Sequence, residues 1–178
     1  MLNAFDGSLT LFGLIVGSYF AGVTNPGLMI TVGMSTIVAV SVSGIWGSFM
    51  TESAERRRDM IDLEKIMLRK LDKTELDDAS KFAIKVTSLV DGLSPFASAL
   101  VILFPFIISH VVYRGLHIME AYYISMALCL IVFFVLGAYL GKISRESMIM
   151  SGLKMLSAGL VAAALVSLIG MGTSVPAV

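Results

Sequence analysis

Five apolar segments, separated by shorter polar or charged stretches, dominate this chain. Each is long enough to cover roughly 30 Å of bilayer hydrocarbon at about 1.5 Å per helical residue. The pattern predicts an all-α, polytopic membrane protein with five transmembrane helices. The predicted spans are 8–24, 28–50, 93–112, 120–140 and 149–171.

Turn-forming residues divide the chain between and within these spans. Thr24-Asn25-Pro26-Gly27 predicts a tight turn between spans one and two. Gly92 and Pro95 predict that a helix breaks or starts afresh at the entrance of span three. Pro105 predicts a kink inside that span.

Only the segment between spans two and three has the pattern of a soluble protein. Its apolar residues recur at helical spacing, and Thr74-Glu75-Leu76-Asp77 resembles a capping box that opens a second helix. We therefore expect two amphipathic helices in a short hairpin, the first with Met60, Leu63, Met67 and Leu71 on its apolar face. The chain then divides into helices one and two within 1–50, the hairpin within 51–90, and helices three to five within 91–178.

Composition and charge narrow the class further. Hydrophobic residues make up 57% of the chain and charged residues 15%, a balance typical of membrane proteins. The formal net charge is zero, which gives no case for nucleic-acid binding. The single cysteine, Cys129, excludes a disulfide framework and a cysteine-based zinc site. No basic residue precedes span one, so we expect a transmembrane helix there rather than a signal peptide.

The basic residues predict the orientation in the membrane. Twelve of the 13 Lys and Arg residues lie between spans two and three or beside the start of span five, and Arg114 lies in a loop of the opposite side. Because cytoplasmic loops carry the excess of basic residues, we expect the N-terminus and 51–90 in the cytoplasm and the C-terminus outside or in a lumen. In a prokaryote the membrane would be the cell membrane. The twelve are Arg56, Arg57, Arg58, Lys65, Arg69, Lys70, Lys73, Lys81, Lys85, Lys142, Arg145 and Lys154.

Small residues recur along the first two spans. Such faces let helix backbones approach closely, either within one subunit or at the seam of a dimer. We expect a two-fold homodimer joined at these spans, with packing inside the subunit as the alternative. The residues are Gly13, Gly17, Ser18, Ala21 and Gly22 in span one, and Ser35, Ala39, Ser43 and Gly47 in span two.

Two Asp-Gly pairs lie near the starts of spans one and three. Asp6 precedes a long uncharged run, and an acid in that position is costly without a partner, which makes it a candidate for a transport path. The alternative for Asp6 is an N-cap in the headgroup region. Asp91 is followed by Pro95, which suits a structural N-cap.

Four acidic residues follow span two at intervals of three, four and three. At about 100° per residue their carboxylates fall on one helix face. Like charges at this spacing destabilise a helix unless a cation neutralises them, and clustered carboxylates are suitable ligands for a divalent metal ion. The alternative is a solvated face balanced by Arg56, Arg58 and Lys65. We call Glu52, Glu55, Asp59 and Asp62 the acidic stripe.

Motifs of several enzyme classes are absent from the sequence. The spans contain no Ser/His/Asp set, and the chain contains neither a phosphate-binding Gly-x-x-x-x-Gly-Lys loop nor a His-Glu-x-x-His zinc motif. Membrane alcohol phosphotransferases follow their Asp-Gly with Ala-Arg, which follows neither pair here. We therefore expect no enzymatic activity and no organic cofactor.

The ordered set of motifs resembles the vacuolar iron transporter family, which carries ferrous and manganous ions as dimers of five-span subunits. Its first span opens with a motif similar to Phe5-Asp6-Gly7, and its second ends in a run similar to Gly47 through Glu55. Its third starts with a proline-containing entrance similar to Ser94-Pro95, followed here by Ala97-Ser98-Ala99. Its last two spans resemble the end of this chain, with Gly137, Gly141, Gly152-Leu153-Lys154-Met155-Leu156, Gly159, Ala162-Ala163-Ala164 and Ile169-Gly170.

The chain also departs from the pattern of that family and resembles a short, divergent member. Thr36 stands where family members usually have a membrane glutamate, and Gly44 stands where they have the methionine of the translocation path. Met34 or Met50 is a candidate to supply a thioether from a shifted position. The acidic stripe falls on the metal-binding helix of the family, whose cytoplasmic segment is longer.

This resemblance implies a carrier that moves ferrous or manganous ion out of the cytoplasm. The metal is then the substrate, and protons are the expected counter-ion because carboxylates release a cation when they are protonated. The alternative is a transport-inactive relative that acts as a metal sensor or docks another protein through its acidic helix.

Overall fold

In a computed structural model, which describes residues 2–70, 74–111 and 117–173, the chain folds into five α-helices. No described residue lies in a β-strand, in agreement with the all-α prediction. Leu71, Lys73 and Arg114, which entered the predictions above, lie outside the described residues. The helices are Leu2–Phe20 (α1), Pro26–Met67 (α2), Glu75–Val111 (α3), Ile118–Ile143 (α4) and Met148–Thr173 (α5).

Four of the helices, α2 to α5, are long and apolar enough to cross a membrane. The first helix, α1, is shorter and has 19 residues. It begins before the predicted start of span one, because the polar residues Asn3 and Asp6 are included in the helix. The observed helices therefore agree with the prediction of a polytopic helical membrane protein, but the first helix starts at Leu2 instead of residue 8.

The turn between α1 and α2 has the local chemistry that the sequence predicts. Asn25 is the N-cap of α2, and its side-chain oxygen accepts hydrogen bonds from the backbone N–H groups of Gly27 at 2.9 Å and Leu28 at 3.4 Å. Pro26 occupies the first turn, where its missing N–H costs no helical hydrogen bond. These three features fix the start of α2.

Packing places α1 in contact with all four other helices. Aromatic rings anchor this contact, because the ring of Phe133 on α4 lies edge-on to Phe5 and Phe12 of α1 with centroids 5.3 and 5.5 Å apart. The buried core is formed mainly by α1, α3 and α4. Its members include Leu11, Phe12, Ile15 and Val16 of α1, Ala99, Ile102, Leu103 and Phe106 of α3, and Ala121, Tyr122, Cys129 and Phe133 of α4.

Tyrosines join α1 to α4 at the end of the bundle where α1 finishes. The Tyr122 hydroxyl donates to the carbonyl of Val23 at 2.9 Å, and the hydroxyls of Tyr19 and Tyr123 are 3.0 Å apart. Amphipathic tyrosines are typical of a membrane interface. This end therefore has the side chains expected where the bundle meets the headgroups.

The small residues of the first two spans have different surroundings. Gly13 and Gly17 of α1 face Val166 of α5, with which an added Cβ would be in van der Waals contact at 3.9 and 3.7 Å. This is packing inside the subunit, the alternative weighed above. The small residues Ser35, Ala39, Ser43 and Gly47 of α2 are instead exposed in the single chain.

The segment 51–90 is not a separate hairpin of short helices. It consists of the second half of α2, which continues without interruption to Met67, and the first half of α3, which starts at Glu75 as the capping-box motif predicts. These two halves pack against each other, with Met60 and Leu63 facing Leu76 and Ala83 across a shared groove. We call residues 51–67 and 75–90 the helical extension.

The prediction of a helix break at Gly92 and Pro95 is wrong, since both residues lie inside α3. A proline cannot donate to the carbonyl four residues earlier, which here belongs to Asp91. The Ser94 hydroxyl donates to that carbonyl at 2.9 Å and replaces the missing hydrogen bond. The helix therefore continues through the proline without leaving this carbonyl unsatisfied.

Candidate functional site

Asp6 lies in the second turn of α1 and is exposed in the single chain. It is not an N-cap, because α1 already begins at Leu2. The next residue, Gly7, is buried where α1 crosses α3, and a Cβ there would be 2.5 Å from the Cβ of Pro95. Since only glycine fits this crossing, the Asp6 carboxylate leaves the helix beside a tight α1–α3 contact.

Asp91 lies in the middle of α3 and is half-buried. The predicted role of an N-cap is wrong, because the residues on both sides of Asp91 are helical. Inside a helix there are no free first-turn N–H groups from which its carboxylate could accept a hydrogen bond. Its carboxylate Oδ2 accepts a hydrogen bond from the Ser48 hydroxyl of α2 at 3.0 Å. Asp91 is thus a side-chain link between the two long helices.

The other residues predicted for the transport path all belong to α2. The Thr36 hydroxyl donates to the carbonyl of Val32 at 2.8 Å, so it satisfies its own helix. Met34 packs against the core. Gly44 faces Asn3 of α1, with 3.3 Å between an added Cβ and the Asn3 Nδ2 atom. Met50 is 58% exposed beside the extension.

These residues do not converge on one point. Met34 and Met50 are separated by 16 positions, about 24 Å along a helix at 1.5 Å per residue. A single cation cannot contact both thioethers in one subunit. The predicted path residues are therefore distributed along α2, while Asp6 belongs to α1.

The acidic stripe lies on the part of α2 that belongs to the helical extension. Glu52 accepts a hydrogen bond from the Arg56 Nε atom at 3.0 Å, and Asp62 accepts one from the Lys65 Nζ atom at 3.0 Å. Glu55 and Asp59 are exposed. Arg56 and Lys65 thus pair with two of the four acids, as the alternative of a charge-balanced, solvated face predicts.

The stripe does not close a metal site within one chain. Among residues 2–70, 74–111 and 117–173, no group of three or more His, Cys, Asp or Glu side chains is arranged to hold a metal ion. The ammonium group of Lys65, which hydrogen-bonds to Asp62, lowers the pKa of that carboxyl from its ordinary value of 3.8. Asp62 therefore stays ionised to a lower pH than an isolated aspartate.

Three polar residues of the site were not singled out from the sequence. Ser48 binds Asp91, Asn3 covers Gly44, and Ser41 lies against the backbone of Gly92. One signal was present for the serines, since Ser41 and Ser48 are seven residues apart and therefore share a helix face. The partners on α3 cannot be identified from that spacing alone.

Comparisons with known proteins agree with the architecture and the resemblance. The family model described as the VIT family matches residues 61–171. An uncharacterized protein of the archaeon Methanocaldococcus jannaschii is 31% identical over 163 residues, which cover 90% of this chain and 81% of the relative. No solved structure matches the chain. With four helices able to cross a membrane, the chain belongs to the VIT family and is an integral membrane protein of the metal-ion transporter class.

Proposed function

We propose that this protein carries ferrous or manganous ion out of the cytoplasm in exchange for protons, working as a homodimer of five-span subunits. The observation that carries the proposal is that the acidic stripe and Ser48, which hydrogen-bonds to Asp91 of the bundle, belong to the single uninterrupted helix α2. Glu52 follows Ser48 by one turn, about 6 Å of helix. A cation held by the stripe would thus already be close to the entrance of the bundle.

Asp6 is the proposed entrance carboxylate. It is an acidic side chain at the surface of an apolar bundle, next to a crossing that only glycine permits. An ionised carboxylate in such surroundings is stabilised by a cation or by a partner group. In the proposed dimer, a divalent ion at Asp6 would supply that charge.

A dimer would also complete the acidic stripe. A divalent ion such as Mn²⁺ requires about six ligands from several directions, whereas one helix face offers carboxylates from one side only. The exposed small residues of α2, which include Ala39 and Gly47, are suited to close contact with the α2 helix of a second copy. Two stripes facing each other across a two-fold axis would surround one ion.

The proposed orientation rests on the charge distribution. The helical extension and the α4–α5 connection are separated along the chain by two crossings of the bundle, one by α3 and one by α4, so their basic residues lie on the same side of the bundle. The positive-inside rule then supports a cytoplasmic extension.

A second candidate function is a metal sensor or protein-docking relative without transport. The observation that favours it is the hydroxyl of Thr36, which is occupied by the carbonyl of Val32 and brings no charge to the position where the family usually has a glutamate. Such a protein would still bind metal at the stripe. It would not move metal across a bilayer.

Flux in proteoliposomes separates these two functions. Purified protein would be reconstituted and supplied with radioactive iron or manganese, with and without a pH gradient, beside empty liposomes and an Asp6→Asn variant. We expect uptake above both controls that increases when protons can move in the opposite direction. Metal binding without uptake would favour the sensor, and neither binding nor uptake would overturn both functions.

A further inference from the structure

An exposed apolar line follows α3 out of the bundle and onto the helical extension. Ser80 lines grooves on both sides of the α2–α3 contact and so points at α2. Phe82 lies about 200° farther around the helix and points away from α2. Apolar residues at successive intervals of three, four or seven continue the side of Phe82 along α3. All of them are exposed, and we call them the outer line: Phe82, Val86, Leu89, Leu93, Leu100 and Phe104.

Lengths along α3 place the end of the outer line at the level of the lipid headgroups. His110 lies against Gly27 in the first turn of α2, with its Cε1 atom 3.2 Å from an added Cβ, and marks the far end of the bundle. Leu89 is 21 positions from His110, about 32 Å of helix, and Phe82 is 28 positions away, about 42 Å. Bilayer hydrocarbon is about 30 Å thick, and the bilayer with its headgroups about 40–45 Å. The stretch from Phe82 to Leu89 therefore crosses one headgroup layer. One turn beyond it the same side of α3 carries Asp78, an exposed acid suited to water.

Lys85 lies within this stretch. It follows Phe82 by three residues and precedes Leu89 by four, so it shares their side of the helix. Lys85 is exposed and has no ion pair with another described residue, whereas Lys81, one turn earlier, pairs with Asp77 at 2.7 Å. Lysines at membrane interfaces lay their alkyl stems along apolar surface and extend the ammonium group to the polar layer. Lys85 is placed to do this at the height of the phosphates.

The α2 helix adds positive charge at the same height. Ser48 hydrogen-bonds to Asp91, and α2 and α3 run in opposite directions through this contact. Arg57 is nine residues after Ser48 and Phe82 is nine residues before Asp91, so both lie equally far from the contact. Arg57 is exposed and is one of three consecutive arginines in the sequence. Basic clusters beside a membrane span attract anionic lipids.

We propose that the outer line between Phe82 and Leu89 binds anionic phospholipid of the surrounding leaflet. Acyl chains lie against Val86 and Leu89, Lys85 binds the headgroup phosphate, and Arg57 adds positive potential. A zwitterionic headgroup carries its own cation and gains less from these residues. Lipid fits this face better than a soluble partner does, because the line continues without a break into the apolar side chains that α3 exposes within the bundle. The α3 side of the helical extension thus belongs to the membrane.

Brominated lipids test this surface, because bromine quenches the fluorescence of a tryptophan that it contacts. Trp46 is the only tryptophan in the sequence, so Trp46→Phe gives a background without tryptophan. Phe82→Trp then reports on the extension, and Phe104→Trp is the matched control on the outer line inside the bundle. Ile66→Trp replaces an exposed apolar side chain near the end of α2, 18 positions beyond Ser48, and is the control for water. Each protein would be reconstituted in equal parts of phosphatidylcholine and phosphatidylglycerol, with bromine on the acyl chains of one lipid or the other.

We expect brominated phosphatidylglycerol to quench Phe82→Trp more strongly than brominated phosphatidylcholine. The anionic lipid should be enriched about fivefold beside this residue, the preference that one lysine near a charged membrane surface provides. Lys85→Gln should remove most of the preference, and Lys85→Arg should keep it. Phe104→Trp should be quenched equally by the two lipids because it lies among acyl chains, and Ile66→Trp should be quenched by neither.

Three results would overturn the inference. Absence of quenching of Phe82→Trp by both lipids would show that the outer line faces water or another protein at this height. Equal quenching by the two lipids would show lipid contact without selection of the headgroup. A preference that Lys85→Gln leaves unchanged would reject Lys85 as the phosphate ligand. Helix content measured by circular dichroism controls for misfolding, and none of these outcomes depends on metal transport.

Discussion

The two Asp-Gly pairs show how one dipeptide acquires two environments. In both pairs the glycine is buried at a helix crossing, Gly7 of α1 against Pro95 and Gly92 of α3 against the backbone of α2. In both, the aspartate precedes the contact by one residue and so projects about 100° around the helix from it. Asp6 emerges at the surface of the bundle, whereas Asp91 meets the Ser48 hydroxyl. The neighbouring helix, not the local sequence, decides the surroundings of the carboxylate.

The largest expected effect is on transport and comes from Asp6→Asn. The amide keeps the shape of the side chain but removes the charge that attracts a cation, so we expect metal flux in proteoliposomes to be abolished while the protein keeps its thermal stability. Asp91→Asn should lower flux and leave part of it, because the Ser48 contact can be kept by an amide oxygen.

Native flux in Asp6→Asn together with an inactive Asp91→Asn would reverse these roles. The path would then follow α3 rather than α1. The helix content of both variants, measured by circular dichroism, controls for misfolding.

The next largest effect is on stability and comes from the glycines of the two pairs. Gly92→Ala pushes a methyl group against backbone atoms of α2 at 2.9 Å, which cannot move aside as a flexible side chain could. We expect the free energy of unfolding to fall by about 1–3 kcal/mol, as it does in overpacked cores. A lower Tm in detergent would show this loss. Gly172→Ala in α5 is the matched control, because no atom lies within 4 Å of its added Cβ.

Gly7→Ala tests the crossing of the other Asp-Gly pair. Its added Cβ meets the ring of Pro95 at 2.5 Å, and a proline ring has little freedom to move. We expect destabilisation in the same direction as for Gly92→Ala. If Gly92→Ala melts at the same temperature as Gly172→Ala, the close approach of α2 and α3 is not needed for stability.

The acidic stripe extends the comparison to carboxylates outside the bundle. We expect calorimetry to detect divalent metal binding that weakens as the pH falls, because carboxylates that bind protons release the cation. Replacement of all four acids by Asn or Gln should remove this binding. Unchanged binding in that variant would exclude the stripe as a metal site and leave the carboxylates of the bundle.

The smallest effect concerns a single exposed ion pair. The hydrogen bond from Lys65 lowers the pKa of Asp62, so Lys65→Met should raise that pKa toward 3.8. A depressed carboxyl pKa stabilises the folded state above the unfolded pKa, and this contribution is lost as the pH falls through the folded pKa. An NMR titration of the Asp62 carboxyl carbon measures the change. The Tm at neutral pH should hardly move, since the pair is exposed to solvent.

Local sequence was sufficient to predict the all-α fold class and the starts of two helices. The hydrophobic pattern identified the apolar parts of the helices, and turn chemistry located the starts of α2 near Asn25-Pro26 and of α3 at Glu75. Both features depend on residues within one or two helical turns of each other. They can therefore be read without knowledge of the tertiary structure.

The continuity of α3 and the role of Asp91 could not be read in this way. A proline normally ends a helix, but here the Ser94 hydroxyl takes over the hydrogen bond to the Asp91 carbonyl, and Pro95 packs against Gly7 of α1. The Ser48–Asp91 contact joins residues 43 positions apart. Its existence depends on the register of two helices, which hydrophobic periodicity does not determine.

The unbroken course of α2 fixes the angular phase between the acidic stripe and the bundle. Any motion that turns the extension about its axis also turns Ser41 and Ser48 against α3, unless the helix first melts. One residue inserted between Ser48 and Glu52 would rotate the stripe by about 100°, while seven residues would return it to nearly its original direction. The spacing of polar groups along this helix, and not only their identities, therefore determines how the acidic stripe is oriented relative to the bundle.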